Sequence, residues 1–302
     1  MTKSRIYAVT DVGSNTVKCS VYRVTDGKIE DIEFMTNKTG LIARVEDGGL
    51  PGSAIDLLCD TISGYKKRAE ELGAERFCAF GTAIMRRIDN FDAVNSAVKQ
   101  RVGVEIDLIA GEEEARLSFI GAKLFESEIK NGVMADLGGA STELISFDGD
   151  EIRDLYSFPF GCLYLYDRFV DDRFPSADER AANTEFVSGE LSAHPIASSG
   201  KELILIGGTG KAIRKLLREF GYAKRRNPVS VLDGLSERLS CRNESDIALL
   251  EKLIPARVET VIPGLLAYIA AAKSAGAEFF TVSDGGIREG YLKKLMAEDN
   301  LI

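Results

Sequence analysis

The chain has 302 residues, of which 45% are hydrophobic and 28% are charged, and this composition is typical of a globular protein. Its formal net charge of −9 argues against a broad basic face for duplex nucleic acid. A single histidine, His194, excludes a histidine-rich metal site and leaves acid–base chemistry to carboxylates. The length allows two domains that each bury a core.

The N-terminus, the apolar stretches and the cysteines predict a cytoplasmic protein. Met1–Arg5 leads directly into a predicted strand and shows no signal-peptide core. The longest apolar stretch, residues 261 to 272, contains Pro263 and Gly264 and is too short to span a bilayer. We therefore expect a buried helix there and no membrane partner. The five cysteines are scattered, without a C-x-x-C pair, as is typical of reduced thiols.

Apolar periodicity in the first half predicts three strands, followed by helices that alternate with strands. The last helix of this half opens with three glutamates, which suit the positive end of a helix dipole. The predicted elements are strands Ile6–Val12, Val17–Val24 and Ile29–Met35, helix Ile55–Leu72, strand Arg76–Phe80, helix Phe91–Val102, strand Val104–Ile109 and helix Glu112–Phe125.

The second half repeats this scheme and ends in a helix. Its predicted strands are Val133–Leu137, Glu143–Phe147, Ile152–Ser157, Leu203–Ile206 and Phe279–Val282. Its predicted helices are Ala177–Leu191, Gly210–Phe220, Glu244–Leu253, Val258–Ala275 and Ile287–Met296. The order of elements predicts two α/β domains, residues 1–125 and 126–302, with a boundary inferred from a repeat in the sequence.

That repeat consists of an apolar run, Asp-x-Gly, small hydroxyl residues and a second apolar run. The first copy contains Asp11-Val-Gly-Ser-Asn-Thr16, and the second contains Asp136-Leu-Gly-Gly-Ala-Ser-Thr-Glu143. Such turns offer backbone N–H groups and hydroxyls to phosphate oxygens, and an Asp at the end of a strand can hold Mg²⁺. Two ordinary hairpins are the alternative, because Gly, Ser and Asn are common turn residues. Since the copies match, we predict two phosphate-binding turns that face each other across a cleft.

A third candidate phosphate segment is Gly207-Gly-Thr-Gly-Lys211, which follows a predicted strand and opens a helix. The N–H groups of such a helix start point at an anion. The segment is not a Walker A loop, because Leu205 and Ala212 occupy positions where that motif needs Gly and Ser or Thr. Helix starts also use Gly and Thr for capping, so this segment alone is ambiguous.

Each charged residue near these turns has two possible roles. Glu112, Glu113 and Glu114 form either a plain acidic helix start or a source of the carboxylate that activates water, and sequence physics does not choose among them. Glu143 either shares a divalent ion with Asp136 or faces solvent at the start of a strand.

Two arginines have the same ambiguity. Arg86 follows Gly81-Thr82, and Arg257 precedes a predicted helix. Each is either a clamp for a polyanionic substrate or a structural arginine.

Together these motifs resemble the exopolyphosphatase and guanosine pentaphosphate phosphohydrolase family over essentially the whole chain. The matching segments are Asp11–Thr16, Gly81–Arg86, Gly111–Arg116, Asp136–Glu143, Gly207–Thr209 and Val282–Gly290. The resemblance implies two actin-like (ASKHA, ribonuclease H-like) α/β domains with a cleft between them. It also implies that the last helix, about residues 287–299, packs on the first domain. The sequence departs from the family pattern at Ala140, usually Gly, and Ala110, usually Ser, and neither change removes a charge.

The resemblance further implies a Mg²⁺-dependent hydrolase that releases terminal phosphate from inorganic polyphosphate or guanosine pentaphosphate. Glu113 is the implied general base, and Asp136, Glu143 and Asp11 are the implied metal ligands. Lys18 and Arg257 are candidate substrate clamps. The predicted phosphate-binding residues are Gly13, Ser14, Asn15, Thr16, Arg86, Gly138, Gly139, Ala140, Ser141, Thr142, Gly207, Gly208 and Thr209.

Longer relatives continue into a His-Asp helical domain, whose metal site a chain with one histidine cannot form. The chain therefore resembles the short, two-domain members, and a homodimer is suggested by the same likeness.

Two other functional classes stay open. A phosphotransferase of the same superfold would need ADP or a small acceptor, whereas a hydrolase releases free phosphate without one. A non-catalytic sensor would bind guanosine tetraphosphate or polyphosphate with no turnover at saturating Mg²⁺. The presence of Glu113, Asp136 and Glu143 argues against the sensor. Substrate preference and oligomeric state cannot be read from the sequence.

Overall fold

The computed structural model describes residues 4–197, 200–222 and 224–301 and divides into two compact units. The first unit is Met1–Leu117 with Arg288–Ile302, and the second is Ser118–Ile287. The predicted boundary between residues 125 and 126 rests on the repeat alone. The chain leaves the first unit at Leu117 and re-enters it at Arg288. Residues 1–3, part of the segment used to argue against a signal peptide, lie outside the described residues.

The first unit is built on a five-stranded sheet. Its strands are β1 (Ser4–Val12), β2 (Val17–Thr25), β3 (Lys28–Asn37), β4 (Arg76–Gly81) and β5 (Ile106–Leu108). Across the sheet the order is β3-β2-β1-β4-β5, with the first two pairings antiparallel and the last two parallel. The last six residues of β1 are all buried, as expected for a central strand covered on both faces.

The helices of the first unit pack around this sheet. They are a 3₁₀ turn (Leu41–Arg44), α1 (Gly52–Glu71), α2 (Ala83–Arg87), α3 (Phe91–Val102), the start of α4 (Gly111–Lys123) and α11 (Ile287–Glu298), which joins the unit at Arg288. Helix α1 buries Leu58, Ile62 and Tyr65 at helical spacing. Helix α3 closes at Gly103 in the left-handed conformation, φ 70°.

The second unit is built on a six-stranded sheet. Its strands are β6 (Asn131–Leu137), β7 (Thr142–Asp148), β8 (Glu151–Phe158), β9 (Glu202–Ile206), β10 (Arg226–Pro228) and β11 (Phe279–Val282). The order is β10-β11-β9-β6-β7-β8. The run β8-β7-β6-β9-β11 repeats the order and the strand directions of β3-β2-β1-β4-β5. The repeat in sequence is therefore also a repeat of topology, to which β10 adds an edge strand.

The second unit holds the remaining helices of the described residues. They are α5 (Cys162–Phe169), α6 (Ala177–Ala193), α7 (Gly207–Glu219), α8 (Ser230–Ser240), α9 (Glu244–Leu253), a 3₁₀ turn (Pro255–Arg257) and α10 (Val261–Ala275). Helix α10 is buried from Val261 to Ala272, which confirms the prediction made from its apolar run. In the part of the chain that the structure describes, no helix combines the length and apolarity needed to cross a membrane.

Sequence patterns missed α2, α5, α8 and β10. Helix α2 has five residues and β10 has three, too short for either periodicity to show. Helix α8 carries Gly234 near its centre, which lowers its helix propensity. The predicted helix Val258–Ala275 begins at Val261 instead, after a turn.

His194 makes a ring contact, and the cysteines form no disulfide bond. His194 is exposed at the end of α6, where its ring stacks on Tyr156 with centroids 4.2 Å apart. All five cysteines are free thiols. Cys19 is buried, and this burial raises the pKa of its thiol to about 11, so the thiol stays protonated at neutral pH.

The capping box of α6 generates a stability prediction. The Ser176 side chain accepts from the N–H of Glu179, and Glu179 accepts from the N–H groups of Asp171 and Ser176. Ser176→Ala should lower the free energy of unfolding by about 1 kcal/mol in urea titrations followed by circular dichroism. Ser188→Ala, at an exposed position inside α6, is the control and should change it by less than about 0.5 kcal/mol.

The same box predicts a pH dependence. The donated N–H groups hold the pKa of Glu179 below its ordinary value. The stability contributed by this carboxylate is therefore present above its unfolded pKa and is lost as the pH falls through the lower, folded pKa. A Ser176→Ala variant as stable as the wild type at pH 7 would contradict the cap.

Candidate functional site

The second Asp-x-Gly turn joins β6 to β7 in a register that pairs Asp136 with Glu143. Residues directly opposite in an antiparallel pair project to the same face, so two carboxylates lie side by side. Glu143 is only 1% exposed. Ser118 Oγ donates to Asp136 Oδ2 over 2.5 Å, and Ser157 Oγ donates to Glu143 Oε1 over 2.8 Å. Each side chain therefore accepts a hydroxyl hydrogen bond, and two neighbouring carboxyl groups offer the oxygen ligands that a divalent cation prefers.

The first turn has the same register but a different charge. Across β1 and β2, Asp11 lies opposite Lys18, whose Nζ is 4.0 Å from Asp11 Oδ2. A lysine therefore faces the aspartate in the first copy, at the position where Glu143 faces Asp136 in the second. The first pair balances its own charge, whereas the second does not.

The two turns also share their backbone geometry. Each has four residues between its strands. An ideal Cβ on Gly13 would lie 3.0 Å from the carbonyl oxygen of Thr16, and one on Gly138 would lie 3.2 Å from that of Ser141. The glycine in each copy thus admits a carbonyl oxygen three residues later, which explains why both copies carry glycine there.

Neighbouring segments anchor carbonyl oxygens in both turns. In the first turn, Ser14 accepts from the N–H of Ile42 and Asn15 from the N–H of Gly40, both over 2.9 Å. A planar trans peptide directs its C=O and the next residue's N–H in opposite directions. The N–H groups of Asn15 and Thr16 are therefore directed away from the anchoring segment, as a phosphate cradle requires.

In the second turn the anchor is the start of α5. Gly138 and Gly139 accept from the N–H groups of Cys162 and Leu163 over 2.9 and 3.0 Å. By the same geometry the N–H groups of Gly139 and Ala140 are directed away from α5. Ala140 itself is 1% exposed, so its methyl group fits inside the protein where the family usually has glycine.

Gly161 is part of this turn's support and was missed by sequence reasoning. An ideal Cβ on Gly161 would lie 2.5 Å from the carbonyl carbon of Gly139 and 2.6 Å from the carbonyl oxygen of Gly138. Only glycine permits this close approach of α5 to the turn. The one available signal was its place directly after the apolar run that ends at Phe160.

The third predicted phosphate segment joins β9 directly to α7. Gly207 starts the helix at φ 93°, and an ideal Cβ there would lie 3.1 Å from Asp136 Oδ1. Arg257 Nη1 donates to Thr209 Oγ1 over 3.3 Å, and its Nη2 would be 2.1 Å from a Cβ on Gly208. The second unit therefore brings together Asp136, this helix start and the guanidinium of Arg257.

Tyr268 is hydrogen-bonded to the last residue of β9, directly before this helix. Its hydroxyl donates to the carbonyl oxygen of Ile206 over 2.5 Å. Burial raises the pKa of Tyr268 well above its ordinary value, and the charge of Asp136 raises it further. The phenol therefore stays protonated and donates its hydrogen bond at neutral pH. This bond holds the peptide group that joins Ile206 to Gly207.

Thr142 and Arg86, both predicted phosphate ligands, are hydrogen-bonded within their own units. The Thr142 hydroxyl donates to the carbonyl oxygen of Phe160 over 2.7 Å. Arg86 Nη1 donates to the carbonyl oxygen of Ile109 and to Glu114 Oε2, each over 2.7 Å. Arg86 therefore positions the start of α4.

The three glutamates at that helix start have different surroundings. Glu112 is exposed, and Glu114 is buried against Arg86. The side chain of Glu113 is 42% exposed, with Oε1 3.6 Å from Nζ of Lys294 on α11. Glu113 is thus an accessible carboxylate beside a cation at the positive end of a helix. Lys294 was missed because its proximity to Glu113 depends on the packing of α11.

Within the described ranges, no group of three or more His, Cys, Asp or Glu side chains is placed to hold a metal ion. Mg²⁺ in phosphoryl-transfer sites is usually bound by one or two carboxylates, with water and substrate phosphates as the other ligands. The pair Asp136 and Glu143 fits that donor set. Asp11 remains a predicted ligand, and it already faces Lys18.

Comparisons with known proteins all identify the same family. The sequence model of the Ppx/GppA phosphatase family matches residues 20–299. A Photobacterium profundum protein named guanosine-5'-triphosphate,3'-diphosphate pyrophosphatase is 28% identical over 98% of this chain. An Aeromonas hydrophila protein of the same name is 25% identical over 99%. This chain spans 60% and 61% of the lengths of these two relatives.

Solved structures agree with the fold. A Ppx/GppA family member from Aquifex aeolicus superposes with a TM-score of 0.84 at 23% identity, covering 99% of both chains. An exopolyphosphatase from Cytophaga hutchinsonii gives a TM-score of 0.84 at 20% identity, covering 97% of this chain and 98% of its own. These likenesses confirm the predicted fold class of two actin-like α/β domains.

The close approach of Gly161 generates a prediction. Gly161→Ala should lower the free energy of unfolding by about 1–3 kcal/mol, because the new methyl group meets the backbone of Gly139. The matched control is Gly189→Ala on α6, where a Cβ has no heavy atom within 4 Å. That change should stabilise by up to about 1 kcal/mol, since alanine is the better helix former. Equal denaturation midpoints for the two variants would contradict the packing argument.

Proposed function

Because this chain belongs to the Ppx/GppA phosphatase family, we propose that it hydrolyses terminal phosphoanhydrides of inorganic polyphosphate or guanosine pentaphosphate. The observation that carries the proposal is the carboxyl pair of half-buried Asp136 and buried Glu143 beside an anchored glycine turn. A polyphosphate chain is a dense polyanion, so its binding requires backbone N–H donors, fixed cations and a divalent ion. The second unit has residues suited to all three roles.

The second unit would hold the substrate's phosphates. The N–H groups of the turn at Gly138–Ser141 and of the helix start at Gly207–Thr209 donate to phosphate oxygens in this proposal. The guanidinium of Arg257, beside Thr209, adds a bidentate donor with a fixed charge. These groups stabilise negative charge on the transferring phosphoryl group without reorganisation during the reaction.

Asp136 and Glu143 would hold Mg²⁺, for which their donor set is suitable. When bound, the ion neutralises charge on the phosphate oxygens that it contacts. Ser118 and Ser157 keep the two carboxylates oriented by donating hydroxyl hydrogen bonds.

The first unit would supply the general base. Glu113 accepts a proton from the attacking water in this proposal, and Lys294 holds its carboxylate in place through their ion pair. The fixed pairing of Glu114 with Arg86 leaves Glu113 as the more accessible of the two.

The names of the relatives support both substrate classes in this proposal. The sequence relatives carry a name for a guanosine polyphosphate pyrophosphatase, and one structural relative is titled an exopolyphosphatase. The two substrates share a terminal phosphoanhydride, which is the bond the proposed chemistry breaks. The cytoplasmic location and the homodimer stay predictions.

Replacing the proposed base tests its role. Glu113→Gln should lower the rate of phosphate release more than about 100-fold while substrate still binds, because the amide cannot take a proton. Glu112→Gln, at the exposed neighbouring position, is the matched control and should act at close to the wild-type rate. Phosphate release at full rate by Glu113→Gln would remove Glu113 from the role.

A side-by-side assay tests the reaction class. Long-chain polyphosphate, tripolyphosphate and guanosine pentaphosphate should each be tested for phosphate release with and without Mg²⁺, in the absence of an acceptor. Glu143→Gln should raise the Mg²⁺ concentration for half-maximal activity by about tenfold or more, since even outer-shell changes have that effect. Glu151→Gln, an exposed carboxylate of the same unit, is the control. Turnover only with ADP present would indicate a transferase, and binding without turnover a sensor.

A further inference from the structure

A cavity lies wholly within the second unit. It has a volume of about 430 Å³ and lies among the segment that directly follows α4, the later turns of α7 and the strands β10 and β11. None of the residues assigned above to base, metal or phosphate binding lines it. Its volume falls in the range of small-molecule sites, roughly 300–1,000 Å³.

The cavity wall is positively charged, although the protein is acidic. Its charged side chains are the cationic Arg214, Arg218, Lys224 and Arg225 and the anionic Glu126 and Asp284. The whole chain has a net charge of −9, so this concentration of cations is local. A concave positive surface attracts anions.

Ion pairs account for only part of this charge. Arg214 binds Asp284, which lowers the pKa of that carboxyl, and Arg225 Nη2 lies 2.8 Å from Glu126 Oε2. In the part of the chain that is described, neither Arg218 nor Lys224 is found in an ion pair, and both are exposed. These two side chains are therefore available for an anionic ligand.

The same wall exposes large apolar side chains. In the described residues, six large hydrophobic side chains are markedly exposed, and three of them line this cavity. They are Leu124 at 36%, Phe125 at 40% and Tyr222 at 47%. Exposed aromatic rings beside arginines are a combination that stacks on nucleobases and binds phosphates.

We propose that this cavity binds a nucleoside di- or polyphosphate, with the base against Phe125 and Tyr222 and the phosphates on Arg218 and Lys224. A polyphosphate chain without a ring would use the cations and leave the aromatic rings exposed to water. The aromatic wall therefore favours the nucleotide. The inference concerns binding only and stands whether or not the proposed hydrolysis is correct.

The site is separate from the phosphate turns but shares a helix with one of them. Helix α7 begins at Gly207, and Arg218 follows eleven residues later, about 16 Å along the axis at 1.5 Å per residue. The two ends of one helix therefore carry the proposed catalytic phosphate segment and the proposed nucleotide site. A nucleotide bound at one end has a direct structural connection to the other.

Calorimetric titration with two probes tests the proposal. The probes are α,β-methylene GDP, whose diphosphate bond resists hydrolysis, and tripolyphosphate, which has no ring. Arg218→Ala and Tyr222→Ala should each weaken binding of α,β-methylene GDP at one site by about tenfold, the loss of one charged or stacking contact. Lys215→Ala is the matched control, because it removes an exposed cation of α7 that does not line the cavity.

Binding at the phosphate turns should be equal in all four proteins, so a difference reports the cavity. Tripolyphosphate affinity, measured in Mg²⁺-free buffer so that the proposed hydrolysis does not consume the probe, should fall in Arg218→Ala and stay unchanged in Tyr222→Ala. Phosphate release in the absence of nucleotide should match the wild type in every variant, which also shows that they fold. Equal α,β-methylene GDP affinity in all four proteins would overturn the site. A loss in Arg218→Ala without any loss in Tyr222→Ala would overturn recognition of the nucleoside.

If the wild-type protein releases no phosphate, while Arg218→Ala and Tyr222→Ala still weaken nucleotide binding, the proposed hydrolysis is refuted and the nucleotide site is not. The two proposals can therefore fail independently.

Discussion

The register between β6 and β7 keeps the carboxylates of Asp136 and Glu143 side by side, and the second unit is organised around that juxtaposition. Two adjacent carboxyl groups, one half-buried and one buried, repel each other when both are ionised. Ser118 and Ser157 donate to them, and the charge of Asp136 helps to keep Tyr268 protonated. A slip of β7 by one residue would move Glu143 to the opposite face of the sheet from Asp136, so the four-residue turn that sets this register is essential.

The two halves of the protein share this architecture and differ in its charge. In the first copy Asp11 lies opposite Lys18, whereas in the second copy Asp136 lies opposite Glu143. Two acidic side chains offer oxygen ligands to a divalent ion, whereas the ammonium of Lys18 offers none. The two hairpins therefore share a register and differ in charge at a single cross-strand position.

Backbone groups form most of the anion-binding surface proposed for the second unit, and close approach at glycines makes this arrangement possible. Gly161 lets α5 meet the turn, and Gly208 leaves room for the guanidinium of Arg257. Peptide groups held in this way have no rotamers to choose among, so their donors are fixed before a ligand arrives. The nucleotide proposed at the far end of α7 would instead be recognised by exposed side chains. The two sites therefore differ in rigidity as well as in ligand.

The amino-acid sequence alone predicts the alternating strands and helices, the two hairpins and the change from strand to helix over Gly207–Lys211, although the helix begins at Gly207 and not at the predicted Gly210. These features depend on residue periodicity and turn chemistry, which are local. The family motifs also singled out Glu113 among three adjacent glutamates. Only the tertiary structure decided that Arg86 binds Glu114, because that contact joins segments 28 positions apart.

Tertiary packing likewise placed Lys294 beside Glu113 and Gly161 against the second turn. Short elements such as α2 and β10 also emerged only there, since they carry too few residues for a period to show. Local patterns predict which residues are candidates for phosphate binding. The partners that hold them come from distant parts of the chain, and their proximity depends on how the whole core packs.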